Sequence, residues 1–131
     1  MHFPNKKYNI IYADPPWKYK RDGNHSAASI YDVMNLQDIK NLDVNSITDT
    51  EAHLYLWVTN PFIQEGLDVC RDWGFEYKTT AFVWVKKNKK SDSFFMGLGR
   101  WTRANPEFCI LATKGKIKRL RADIRQLQIH R

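Results

Sequence analysis

The chain has 131 residues, is 43% hydrophobic and carries a formal net charge of +7. One compact domain over 1–131 is the natural reading of that length, with apolar content enough for a core. No apolar run of about 18 residues is present, which excludes a helical membrane span, and the start MHFPNKKYNI lacks a secretion signal's apolar stretch.

Residues 8–13, YNIIYA, are β-branched and aromatic, a composition suited to a strand buried on both faces. Asp14 follows at the strand's carboxyl end. Pro15 and Pro16 lack backbone donors and cannot extend a ladder, and the proline after Asp14 holds it extended. The chain thus leaves the strand on a stiff path that gathers a carboxylate, two bare carbonyls and the Trp17 indole. In open α/β sheets, ligands bind outside the carboxyl ends of strands.

Two readings of Asp14-Pro15-Pro16-Trp17 stand. One is loop punctuation with a packed tryptophan. The other is a device for an exocyclic aromatic amine such as N6 of adenine. That nitrogen's lone pair is delocalised into the ring, so it is a poor nucleophile. Acceptors at its two hydrogens would favour a tetrahedral nitrogen and localise the pair. The Asp14 carboxylate and the Pro15 carbonyl could supply them, with Trp17 stacked on the base.

The segment 18–34, KYKRDGNHSAASIYDVM, is polar and aperiodic and reads as a long loop over the site. Residues 35–42 place Leu36, Ile39 and Leu42 at helical spacing behind a capping Asn35, with Asp38 in the first turn. Residues 43–51 read as a polar connection and AHLYLWV, 52–58, as a fully buried strand. Asn60 and Pro61 supply an N-cap and a first-turn proline for a helix over 61–73, with Ile63, Leu67 and Cys70 on one face and Gly74 as its stop. Residues 77–87 form a long strand, so the β-α-β rhythm argues a parallel sheet with right-handed crossovers.

Residues 88–106 are a basic, aromatic, glycine-bearing insertion. Its GLG is no dinucleotide fingerprint, since the later glycine and the preceding strand are missing. Its cations suit phosphates, and Phe94, Phe95 or Trp101 either stack beside bases or close the loop onto the core. Residues 107–115 are a strand ending at glycine. The basic tail, about 114–131, carries Ile124, Leu127 and Ile129 at a spacing that allows a short strand. Charge is uneven: residues 1–85 carry a net −3 and residues 86–131 a net +10. That asymmetry suits either a polyanion-facing region or a solvated face. Cys70 and Cys109 have no metal-ligand spacing and read as buried thiols.

DPPW resembles the signature of S-adenosylmethionine-dependent amino-group methyltransferases: Asp, Asn or Ser, then Pro-Pro, then Tyr, Phe or Trp. Together with LYLWVTNPF, WGFEYKTTAFVWVKK and NPEFCILATKGK, the order of segments is similar to the adenine-N6 methyltransferase family that includes mRNA methyladenosine writers and small bacterial and phage enzymes. The resemblance implies an α/β, Rossmann-like methyltransferase fold of permuted order with a mostly parallel sheet flanked by helices. It implies S-adenosyl-L-methionine as cofactor, with Asp14 at the cofactor. DNA, or alternatively RNA, is the expected partner. Asp14, Pro15, Pro16 and Trp17 would be catalytic, and Tyr31, Trp84, Lys86, Arg100, Arg103, Asn105 and Glu107 would face the substrate. A non-catalytic, nucleic-acid-binding subunit is the competing reading. Relatives continue past the position of Arg131 with parts that help bind the cofactor. The expectation is therefore a chain incomplete at its C-terminus, with an uncovered strand at 8–13 that invites a homo-oligomer or a partner subunit. The expected setting is the cytoplasm of a bacterial cell or phage-infected host.

Overall fold

The computed structural model describes residues 2–18, 34–99 and 101–131. Five strands, β1 (Tyr8–Ala13), β2 (Thr48–Val58), β3 (Glu76–Lys86), β4 (Glu107–Lys114) and β5 (Leu127–His130), form one sheet in the order β1-β2-β4-β3-β5. Two helices, α1 (Leu36–Lys40) and α2 (Ile63–Asp72), accompany it. No helix among the described residues is long and apolar enough to cross a membrane.

Strand direction sets the architecture. β1 pairs parallel with β2, and β3 parallel with β5, while β4 lies antiparallel between β2 and β3. Four strands therefore share one direction and β4 alone opposes it. The α/β class holds, and β2-α2-β3 is the expected parallel unit, but its strands are separated by an inserted β4. Sequence periodicity carries no information on which neighbour a strand selects, so the wedge was not legible. Its consequence is functional: the start of β4 lies at the carboxyl ends of β2 and β3.

One face of the sheet makes the core. In β2, Ala52, Leu54, Leu56 and Val58 are buried, whereas His53, Tyr55 and Trp57 between them are only half-buried. The strand is thus covered on one side, and it begins at Thr48, four residues earlier than its apolar run. β1 is likewise not buried on both faces. Ile11 packs inward, but Ile10 is 60% and Tyr12 70% exposed, because they lie on the sheet's uncovered face, opposite His53 and Tyr55 of β2.

Both helices lie against the buried face. Asn35 caps α1 as expected, its Oδ1 accepting from the Asp38 amide at 2.9 Å. Ile39 is fully buried, and its carbonyl accepts from Trp73 Nε1 at 2.9 Å. The start of α2 differs from the expectation. Thr59 holds the cap position of a 3-10 turn over Asn60–Phe62, and the Asn60 amide instead donates to the Pro106 carbonyl at 3.3 Å. The buried stripe of α2 is Gly66, Val69 and Cys70, continuing to Trp73, while Ile63 and Leu67 stay exposed. Gly66 explains that rotation: a Cβ there would sit 2.4 Å from Val58 Cγ1, so the helix rides on β2 at its glycine.

The basic insertion folds back as a hairpin. Lys87 bridges Phe94, and Gly97 and Ala104 exchange backbone bonds of 2.7 and 3.0 Å. Gly99 fits the turn because a Cβ would lie 1.9 Å from the Thr102 carbonyl oxygen. Trp101 is 98% exposed and Phe94 and Leu98 are also open, so these side chains do not close the hairpin onto the core. The tail's short strand is β5, beginning at Leu127, with Ile124 outside it.

Candidate active site

Three segments converge at one rim because of the strand directions. Asp14 leaves the carboxyl end of β1, Asn60 and Pro61 leave that of β2, and Lys86 ends β3. The antiparallel β4 brings Asn105, Pro106 and Glu107 to the same place. A cleft of about 750 Å³ opens there, lined by these β2–β4 segments, by Lys86 and by the hairpin residues Phe95, Leu98, Trp101 and Arg103. That volume lies within the range of small-molecule sites.

Asp14 is not among the residues that line this cleft; it stands at the end of β1, next to β2, and its tie to the cleft is electrostatic, through the lining residue Glu107. Its side chain remains open to solvent, yet partial burial and the nearby Glu107 both push its carboxyl above the ordinary value of 3.8, burial being the larger cause. It has no ion pair among the described residues. Glu107, in contrast, is paired with Lys86 at 2.8 Å. The Lys86 ammonium also lies 5.3 Å above the Trp84 ring centroid and 5.8 Å from that of Phe95. Lys86 and Glu107 are thus held partly buried in one geometry, whereas Asp14 at this rim and Arg103 in the cleft lining have no ion pair among the described residues.

The Asp-Pro-Pro-Trp turn is fastened at both ends. The Trp17 amide donates to the Pro15 carbonyl at 2.9 Å, and the Met34 amide to the Pro16 carbonyl at 3.0 Å. Neither carbonyl is bare, contrary to expectation; each keeps one lone pair, since a carbonyl oxygen has two. Trp17 is no open stacking platform either. It is 8% exposed, stacks on Phe62 with centroids 5.7 Å apart, and donates Nε1–H to the Trp57 carbonyl at 3.1 Å. The indole bolts the turn to the end of β2.

Other expected site residues separate in the same way. Lys86, Arg103 and Glu107 line the cleft. Asn105 also lines it, but its amide is spent on backbone: Oδ1 accepts from the Lys86 amide at 2.9 Å, and Nδ2 donates to the carbonyls of Lys86, at 3.0 Å, and Phe95. It ties hairpin to β3, with both Nδ2 hydrogens used and one Oδ1 lone pair left over. Trp84 lies outside the cleft, edge-on to Trp57 with centroids 6.4 Å apart, in a second groove shared with Phe82, Gln128 and His130. Tyr31 and Arg100 lie outside the described residues. Cys70 and Cys109 are buried, and burial pushes their thiols up to about 12 and about 11. Both are packing groups, not nucleophiles.

Sequence reasoning missed Asn60, Trp57 and Tyr12. The signal for Asn60 was the pair of Asn-Pro steps at 60–61 and 105–106, which the fold brings together through the Asn60–Pro106 bond. Trp57 Nε1–H donates to the Tyr12 hydroxyl at 2.7 Å, joining β1 and β2 on the open face. Nothing local in the sequence marks that pair.

Residues 8–130 match the family described as MT-A70. The chain is 39% identical over 150 residues to the type II methyltransferase M.MunI of Mycoplasma sp, covering 98% of this chain and 61% of that protein. It is 30% identical over 119 residues to the N6-adenosine-methyltransferase non-catalytic subunit MTB of Arabidopsis thaliana, covering 86% and 15% of the two. It is 26% identical over 110 residues to the human N(6)-adenosine-methyltransferase catalytic subunit METTL3, covering 83% and 18%. The chain thus spans about three-fifths of M.MunI and under a fifth of the two adenosine-methyltransferase subunits.

Proposed function

The chain belongs to the MT-A70 family, and from that premise we propose that it methylates N6 of adenine in DNA, using S-adenosyl-L-methionine. The carrying observation is the rim itself: a carboxylate without an ion pair among the described residues, Asp14, is near enough to feel the charge of Glu107, which pairs with Lys86 in the lining of the cleft. The 39% identity to a type II methyltransferase, against 26% to human METTL3, favours DNA over RNA.

The donor set fits the cofactor's charge. A sulfonium with an amino group seeks uncompensated negative charge, and Asp14 has it, whereas Glu107 is spent on Lys86. Asp14 would hold that cationic end, and the bound cofactor supplies the methyl group. The chain's own residues do the rest. Asp14 accepts one N6–H of the extruded adenine, and the spare lone pair of the Pro15 carbonyl accepts the other. Both bonds localise the nitrogen lone pair. The raised carboxyl makes Asp14 a better acceptor for the departing proton than an ordinary aspartate. Trp17, buried on Phe62, fixes the turn so that acceptors and base meet without reorganisation. Pro16 keeps the turn stiff.

Asp14→Ala should reduce methyl transfer from tritiated cofactor to duplex DNA by roughly a hundredfold or more, with the thermal transition retained. Full activity in that variant would overturn the assignment. The second reading, a nucleic-acid-binding subunit without catalysis, is favoured by the 30% identity to the non-catalytic MTB. Nucleic-acid binding without any transfer, in wild type as in Asp14→Ala, would decide for it. Transfer to RNA oligonucleotides but not to DNA would reassign the substrate.

A further inference from the structure

The basic tail does more than connect strands. β4 ends level with the start of β3, where Thr113 pairs with Glu76, and β5 begins level with Val83. The arm 115–126 therefore crosses from one side of β3 to the other. It is anchored at its far end: Gln126 Nε2 donates to the Thr80 carbonyl at 2.8 Å, and the Val83 amide donates to the Gln126 carbonyl at 2.8 Å. Along it, Lys116, Lys118, Arg119 and Arg125 are exposed and make no ion pair among the described residues. The single acid, Asp123, is taken by Arg121 at 2.6 Å.

This arm is continuous with the hairpin. The Lys87 amide donates to the His130 carbonyl at 2.9 Å, and Arg131 contacts the Ser91 carbonyl at 3.2 Å and Asp92 at 3.1 Å. Beyond that junction lie the exposed Lys89 and Lys90, then Arg103 at the cleft. The path from the level of Glu76 to Lys86 is about 33 Å at a strand's rise per residue, close to one turn of duplex.

We propose that this outer border of β3 and β5 is a phosphate track that holds a nucleic-acid backbone about one helical turn away from the cleft. The inference rests on the proposed substrate class but not on catalysis. Free cations along an arm that is anchored at its far end and continues through β5 to the hairpin and cleft suit a repeating anion spaced along a stiff rod. A solvated face would need no anchoring and no direction. Phosphate contacts of this kind set register and affinity without reading sequence.

The test is binding, not turnover. Fluorescence anisotropy with a labelled 24-base-pair DNA duplex would be followed from 50 to 200 mM salt for the wild type and for the triple variant Lys116→Gln, Lys118→Gln, Arg119→Gln. Loss of three phosphate contacts should lower the slope of log K against log salt by about 2.7. A six-base-pair duplex, too short to span track and cleft, should show no difference between the two proteins. All three side chains are solvent-exposed, so the thermal transition should not move, which separates lost contacts from lost structure. An unchanged slope with the long duplex overturns the track, and so does an equal loss with the short one. If the slope falls as expected while no methyl transfer is found, the track stands and the catalytic reading fails.

Discussion

Trp17→Phe tests whether the signature tryptophan is a bolt or a base platform. Phenylalanine keeps an aromatic ring for Phe62, now 5.7 Å away in centroid distance, but it cannot donate to the Trp57 carbonyl. Losing that hydrogen bond costs about 1 kcal/mol. The smaller ring leaves roughly 40 Å³ unfilled, worth about 1 kcal/mol at about 24 cal/mol per Å³. The total, about 2 kcal/mol, divided by an unfolding entropy of about 2.1 cal/mol/K per residue, lowers the transition by about 7 °C. Circular dichroism melts would read that shift, and steady-state methyl transfer would read kcat and KM separately. A bolt that positions Asp14 shows a lowered melt and any kinetic loss in kcat, with KM for DNA unchanged. A melt displaced by less than about 2 °C together with a tenfold rise in KM would refute the packing argument and return Trp17 to the substrate.

Three further outcomes follow from the structure. Asp14 has a folded pKa above its ordinary 3.8, so the stability it contributes is present below that value and lost as pH rises through the folded one. Asp14→Asn should therefore melt higher than wild type at neutral pH and lose that advantage in acid; an equal advantage at every pH would contradict it. Gly66→Val places a Cβ 2.4 Å from Val58 Cγ1 and should destabilise by about 2 kcal/mol despite the better helix former. Urea unfolding would check this, with an unchanged midpoint as the contrary result. Asn105→Ala removes the side chain that binds the backbone of Lys86 and Phe95, so the hairpin should be nicked by protease on the order of ten times faster. Unaltered cleavage between 94 and 104 would show that the hairpin holds itself.

Much of the local structure was written in the sequence. The Asn35 cap, the stop of β4 at Gly115 with φ of +72°, and the rigid exit after Ala13 all follow from short-range stereochemistry, which neighbouring residues dictate. The family was legible too, because motif order survives in the chain. What the sequence could not determine is which chemistry-bearing residues meet. Glu107 pairs with Lys86 and comes within electrostatic range of Asp14 only because β4 inserts antiparallel between β2 and β3, a choice made by packing across the whole sheet. Asn105 and Trp17 carry the right chemistry for a substrate site, yet tertiary hydrogen bonds and burial consume most of it. A side chain's availability is a property of its surroundings, and those are assembled from residues far apart in the chain.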